Sequence, residues 1–125
     1  MVAPIGNANV EVAQASAVGT DGIYIGGLTV VPGTYLPYQQ EFANAIKSKY
    51  NKDGTVHHQH GCDAVLLIAK ALAQATDVNS RVAVRDAFES IKGFQGAGGM
   101  YSYSATNHVG LQVGSLIYCQ VHNGA

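Results

Sequence analysis

The stretch of sequence that decides the fold is GCDAVLLIAKALAQATDVNSRVAVRDAFESIKGFQGAGGMYSYS, residues 61–104. Its first part, residues 61–75, is apolar nearly all round and long enough for four helical turns. This pattern predicts a helix that is the most buried of the chain. The apolar residues that recur at helical spacing are Val65, Ile68, Ala69 and Leu72.

A second helix is predicted directly after it. Ser80 is a good N-cap, and Lys92-Gly93 supplies a cation and a C′ glycine at the other end. Between them, four apolar residues follow the i, i+3, i+4, i+7 pattern of an amphipathic helix: Val84, Ala87, Phe88 and Ile91.

Strand-like runs lie on both sides of these helices. Residues 22–31 are apolar and β-branched, and they predict a buried strand. A helix is predicted from Pro37, with Tyr38, Phe42, Ile46 and Tyr50 on one face, ending before Asp53-Gly54. After a glycine-rich loop at 94–99, the runs 100–104 and 115–121 predict two more strands. Helices placed between strands favour an α/β fold.

The composition excludes several classes of protein. The chain has 125 residues, of which 12% are charged, and a net charge of −1, so no field would attract nucleic acid or an anionic membrane. Neither an export signal nor an apolar run of membrane-spanning length is visible. The two cysteines, Cys62 and Cys119, fall in a predicted helix and a predicted strand. Two buried thiols are the preferred interpretation, with a single bridge as the alternative.

No catalytic motif is present, so we expect no enzyme and no cofactor. GxSxG, HExxH and CxxC patterns are all lacking. The eight carboxylates, most of them on the polar faces of the predicted helices, look like solvated surface. His57, His58 and His60 suggest a metal site, but this spacing on a loop that runs into a helix does not place three imidazoles on one face. We therefore expect no metal site.

The order of segments resembles the C-terminal part of the leucine/isoleucine/valine-binding protein family. The resemblance rests on TDGIYIGG at 20–27, DAVLLIAKALAQA at 63–75, VAVRDAFESIKGFQGAGGMYSYSATNHVGL at 82–111 and SLIYCQV at 115–121. These stretches occur in the family's order and cover nearly the whole chain.

The resemblance implies an α/β fold that forms a partial lobe of a type I periplasmic binding protein, with helices packed on a mostly parallel sheet. Residues 1–125 would be the C-terminal part of the second lobe. Such proteins hold a small ligand between two lobes, close by a hinge and deliver it to an ABC permease from the periplasm. The implied ligand is an amino acid, with an aromatic or aliphatic carboxylate as the alternative.

Three residues align with cleft-facing positions of the family. Pro4 and Ile5 lie in a turn that resembles a Gly-Pro-Glu-Gly-like turn, where the family can place an acidic residue against the ligand's ammonium; Ile5 carries no charge. Packing of Ile5 in a frayed terminus is the alternative. His57 lies just ahead of the buried helix and could donate a hydrogen bond to a carboxylate, and a solvated loop is the alternative.

A second hypothesis is that the chain is a structural fragment that binds no ligand by itself. The Asn-Gly signal at 123–124 has no return strand, and the apolar face of a helix-like piece at 9–18 has no preceding element to pack on. We therefore expect both ends to be completed by something larger. Open sheet edges would then favour a homodimer.

Overall fold

A computed structural model describes residues 2–3, 21–28 and 35–122 of the chain. The chain divides into two compact units, residues 1–34 with 116–125, and residues 35–115. The helices are α1 (Pro37–Tyr50), α2 (Val56–Gln74) and α3 (Arg81–Ser90). The strands are β1 (Val2–Ala3), β2 (Tyr24–Leu28), β3 (Phe94–Gly96), β4 (Gly99–Tyr101) and β5 (Ile117–Gln120).

The first unit contains a three-stranded sheet in the order β1-β2-β5. β1 runs parallel to β2, and β5 runs antiparallel to it. Ile25 pairs with Cys119 in the second ladder and is buried, which is the placement expected for an apolar residue of the predicted strand. β2 lies within the predicted range of 22–31; residues 29–31 are outside the described part of the chain.

The second unit holds the three helices and an antiparallel hairpin of β3 and β4. α1 begins at Pro37 as predicted and ends where Asn51 adopts a left-handed φ of 51°. α3 begins after Ser80, whose hydroxyl accepts a hydrogen bond from the Ala83 N–H at 3.3 Å. The sequence therefore predicted both helices correctly. The buried core of this unit consists of Leu67, Ala71, Ala87, Ile91 and Tyr101.

The prediction for α2 was wrong in two respects. The helix begins at Val56, five residues earlier than expected, so the three histidines lie within it. Its predicted apolar face is exposed: Val65 is 66% and Ile68 51% accessible. The face that is buried carries Val56, Gln59, Asp63, Leu67 and Ala71. Since α2 is apolar nearly all round, its periodicity could not select the face that packs.

Residues 94–99 were predicted as a loop and form most of a hairpin instead. Phe94 pairs with Tyr101 and Gly96 with Gly99, so the turn is confined to Ala97-Gly98. The predicted strand at 100–104 ends at Tyr101, and the one at 115–121 corresponds to β5. Among the described residues, none of the helices is long and apolar enough to cross a membrane.

Both cysteines lie in the predicted types of element, Cys62 in α2 and Cys119 in β5. Their thiols are free, as the preferred interpretation held, and they are half-buried rather than fully buried. The predicted helix-like piece at 9–18 and the Asn-Gly pair at 123–124 fall outside the described residues.

Candidate functional site

The most unusual side chain of the second unit is the carboxylate of Asp63, in the second turn of α2. Asp63 is only 1% exposed, although aspartate is almost never fully buried without partners. Removing an unpaired carboxylate from water costs many kcal/mol, so its neighbours must supply hydrogen bonds. The partners of Asp63 therefore define the site.

Three donors converge on Asp63. The N–H groups of Ala97 and Gly98 lie 2.7 Å from Oδ1 and Oδ2 respectively, and the Tyr101 hydroxyl donates to Oδ2 at 3.0 Å. Hydrogen bonds to an ionised acceptor are about twice as strong as neutral ones. Asp63 thus ties α2 to the turn and the second strand of the β3–β4 hairpin.

Two glycines make this close approach possible. A Cβ at Gly96 would lie 2.5 Å from the Asp63 carboxylate, and one at Gly98 would lie 2.8 Å from the Nδ1 of His60. Neither distance can be accommodated unless the facing side chain or the hairpin moves. The glycines of this segment are therefore needed for contact with α2, in addition to forming the turn.

His60 extends the network by one residue. Its Nδ1 lies 3.1 Å from the Tyr101 hydroxyl oxygen. Because the single proton of that hydroxyl is donated to Asp63, its oxygen accepts from His60, which places a proton on Nδ1. Burial lowers the pKa of His60 despite the nearby Asp63, and burial together with Asp63 raises the pKa of Tyr101 well above its usual value. We refer to Asp63, His60 and Tyr101 as the Asp63 cluster.

An open cavity of about 280 Å³ lies beside the Asp63 cluster. Its walls are mostly apolar, and the Tyr103 ring meets Phe88 edge-on with 5.2 Å between ring centroids. The residues that line it are His60, Ala64, Leu67, Ile68, Phe88, Tyr101 and Tyr103. A volume of this size exceeds the roughly 150 Å³ that holds benzene in an engineered apolar cavity.

The Asp63 cluster holds α2 against the β3–β4 hairpin. The Asp63 carboxylate accepts hydrogen bonds from three donors, and these bonds join α2 to the hairpin. The thiol of the neighbouring Cys62 has a pKa raised by burial and by Asp63, which keeps it protonated and weakly nucleophilic. Within the described ranges, no group of three His, Cys, Asp or Glu side chains could hold a metal ion.

Of the three residues predicted to face a ligand, only His57 lies in the described part of the chain. His57 is exposed in the first turn of α2. Its neighbour His58 accepts the Thr55 N–H on Nδ1 at 3.1 Å and so caps the helix, while His60 belongs to the Asp63 cluster. The three histidines therefore have three different environments. Pro4 and Ile5 lie outside the described residues.

Asp63 was missed because carboxylates were assigned to the solvated faces of the helices, and for this residue that assignment is wrong. A signal was available in the sequence. Asp63 is a lone acid followed by six apolar residues, which indicates a buried charge that needs donors. The short turn between Gly96 and Gly99 could have supplied them as backbone N–H groups.

Comparison with known proteins gives one family and a set of related folds. The family model described as periplasmic binding protein matches residues 1–124. None of the curated proteins matches the sequence. The family match thus spans essentially the whole chain.

Three solved structures illustrate the likeness of fold. The leucine binding protein LivK from Thermotoga maritima is 20% identical with a TM-score of 0.79, over 99% of this chain and 34% of that protein. LivJ from Streptococcus pneumoniae, in complex with isoleucine, is 23% identical with a TM-score of 0.77, over 99% and 34%. A Desulfitobacterium hafniense ABC transporter substrate-binding protein, in complex with Leu, is 20% identical with a TM-score of 0.73, over 98% and 33%. The chain spans about a third of the length of these proteins.

Proposed function

Because this chain belongs to the periplasmic binding protein family, we propose that it forms part of the substrate-binding component of an ABC transporter. Its substrates would be branched-chain or other amino acids, or related small carboxylates. The family match over residues 1–124 carries this proposal. The predicted type I periplasmic binding fold and the predicted resemblance to leucine, isoleucine and valine binding proteins are both confirmed.

The ligand class is supported by what related structures hold. LivJ contains isoleucine and the Desulfitobacterium protein contains leucine. An amino acid is therefore our first choice of ligand, and an aromatic or aliphatic carboxylate the second. The partner in transport would be an ABC permease, and the compartment would be the periplasm, where this family works. A role as an enzyme is not part of the proposal, because the family consists of substrate-binding transport proteins.

We assign residues 1–125 to the C-terminal part of the second lobe, with Pro4, Ile5 and His57 facing the ligand cleft. The environment of His57 supports its part in this assignment. It is exposed in the first turn of α2, where the helix dipole favours an anion. Its neighbour His58 is occupied by the Thr55 cap. Of the two, His57 has the imidazole that can donate to a ligand carboxylate.

Calorimetric titration of the chain with L-isoleucine, L-leucine and benzoate tests this proposal. We expect binding of at least one L-amino acid, weaker binding of its D-isomer, and loss of affinity in His57→Ala. The matched control is His108→Ala, since His108 is also exposed and pairs with Glu89 at 3.0 Å. Equal affinity in both variants would remove His57 from the site.

The second candidate function is a structural one, in which the chain binds no ligand by itself. The observation that favours it is the length of the matched proteins, of which the chain spans about a third. Absence of heat with all three ligands, from a chain shown by circular dichroism to be folded, would support this candidate and contradict the first.

A further inference from the structure

The chain contains two Asp-Gly sequences, Asp21-Gly22 and Asp53-Gly54. In such a pair the backbone nitrogen of the glycine can attack the carboxyl carbon of the aspartate before it. Glycine favours this attack because it has no Cβ to shield its nitrogen and because its backbone is the least restricted. The structure gives the two pairs different surroundings, so they differ in how easily the attack can take place.

Gly22 is held by the sheet of the first unit. Its N–H donates to the Val121 carbonyl at 3.0 Å, and the Val121 N–H donates to the Ile23 carbonyl at 2.9 Å. Attack by the Gly22 nitrogen would first require that its hydrogen bond to Val121 be broken. The fold therefore protects Asp21 from its own glycine.

Gly54 lies in the connection between α1 and α2, outside regular secondary structure. Among the described residues, none accepts a hydrogen bond from its N–H. The Asp53 side chain pairs with Lys47 at 3.0 Å, but it is 89% exposed, and a surface ion pair of this kind is too weak to hold the carboxyl group in place. The polar residues Asn51, Lys52 and Asp53 make this connection a solvated turn by composition, whatever else packs on the helices.

We propose that Asp53 is a site of spontaneous isomerisation to isoaspartate, a covalent modification that is independent of the transport function. The Gly54 nitrogen bonds to Cγ of Asp53 and loses its proton, the carboxyl hydroxyl leaves with that proton as water, and a cyclic succinimide results. Water then opens the ring at one of its two carbonyls. One opening returns aspartate, and the other gives isoaspartate, in which the main chain runs through Cβ and Cγ. Water is the only co-reactant, so no oxidant and no partner is needed.

The modification acts on the start of α2. Isoaspartate adds one atom to the main chain and moves the carboxylate that pairs with Lys47. Thr55, two residues after Asp53, is the N-cap of α2. The N–H and the hydroxyl of Thr55 lie 3.1 and 2.7 Å from Nδ1 of His58. A change in the chain directly ahead of this cap should loosen the first turn of α2.

Incubation of the folded chain in water enriched in oxygen-18 tests the proposal, because each opening of the succinimide adds one heavy oxygen. Trypsin cleaves after lysine, so the two pairs are recovered in different peptides, residues 1–47 and 53–70, and fragmentation of each peptide locates the label. We expect label and isoaspartate to accumulate at Asp53 at least about threefold faster than at Asp21, the factor that one backbone hydrogen bond of ordinary net strength supplies. Equal rates at the two sites, or no label at Asp53, would overturn the proposal.

The same incubation in urea separates the effect of the fold from that of the local sequence. Once unfolding frees Gly22 from Val121, the two pairs should react at similar rates. A preference for Asp53 that persists unchanged in the unfolded chain would come from its sequence neighbours and would contradict the protection assigned to the Gly22 hydrogen bond.

Two variants are matched controls for the chemistry. Gly54→Ala places a Cβ 3.4 Å from the Phe42 ring, a contact that the fold can accept, and it should slow labelling of Asp53 several-fold because the Cβ shields the attacking nitrogen. Asp53→Glu keeps the charge that pairs with Lys47 but requires a larger ring, so label at this position should disappear. Labelling that neither variant changes would show that the oxygen enters by another route and would refute the proposal.

Discussion

Replacing Asp63 by asparagine should destabilise the protein far more than its small change in shape suggests. The carboxylate accepts from two backbone N–H groups and from the Tyr101 hydroxyl. An asparagine side chain has one acceptor oxygen and one NH₂ group. Whichever way it is turned, its NH₂ group faces the N–H of either Ala97 or Gly98, and two donors then oppose each other.

The size of the effect follows from these contacts. One hydrogen bond to a charged group, worth about 1.5–3 kcal/mol, is lost, and one buried N–H is left unsatisfied at a cost of about 1–3 kcal/mol. We therefore expect Asp63→Asn to lower the free energy of unfolding by about 3 kcal/mol. This is a large part of the roughly 5–15 kcal/mol that stabilises a typical domain.

Urea unfolding followed by far-ultraviolet circular dichroism measures this change at neutral pH. The midpoint should fall by about 1 M or more, with the slope unchanged. Asp53→Asn is the matched control, because Asp53 is 89% exposed and pairs with Lys47 at the surface; its effect should stay within about 0.5 kcal/mol. If Asp63→Asn also stays within that range, the hydrogen bonds of the buried carboxylate do not stabilise the contact between α2 and the hairpin.

Three further changes probe the same cluster. Tyr101→Phe removes one donor to Asp63 and should cost about 1–2 kcal/mol in urea unfolding, and a neutral result would contradict that hydrogen bond. Gly96→Ala should lower the melting temperature, since its Cβ would lie 2.5 Å from the carboxylate, whereas Gly61→Ala, with open space around it, should raise stability by about 0.4–1 kcal/mol. Because the pKa of His60 is below its unfolded value of 6.5, the unfolded chain takes up the proton first, and stability falls as pH drops below about 6.5. His60→Gln should flatten this decline, as measured by urea unfolding at about pH 7.5 and about pH 5.5, and an identical decline would show that His60 is not its source.

Much of the fold was predictable because it depends on local chemistry. Proline at the first position of α1 and serine before α3 fix where those helices begin, whatever packs against them. The β-branched and aromatic residues at 22–31 likewise favour an extended backbone. The family resemblance was also readable from sequence, because it rests on an ordered series of segments.

The candidate site was less predictable, because it depends on contacts between distant residues. Asp63 and the turn at Ala97-Gly98 are 34 and 35 residues apart, and no local pattern states that they meet. His57, His58 and His60 are nearly consecutive, and yet one is exposed, one caps α2 and one joins the Asp63 cluster. Pro4, Ile5 and His57 remain predictions as ligand-facing residues.

The sequence by itself determined where α1 and α3 begin, the type of most elements and the family to which the chain belongs. Only the tertiary structure decided which face of α2 is buried and that residues 94–101 form a hairpin. The physical reason is that α2 is apolar on both faces, so hydrophobicity could not choose between them. The buried face is the one that carries Asp63, where the N–H groups of the hairpin turn and the Tyr101 hydroxyl satisfy its charge.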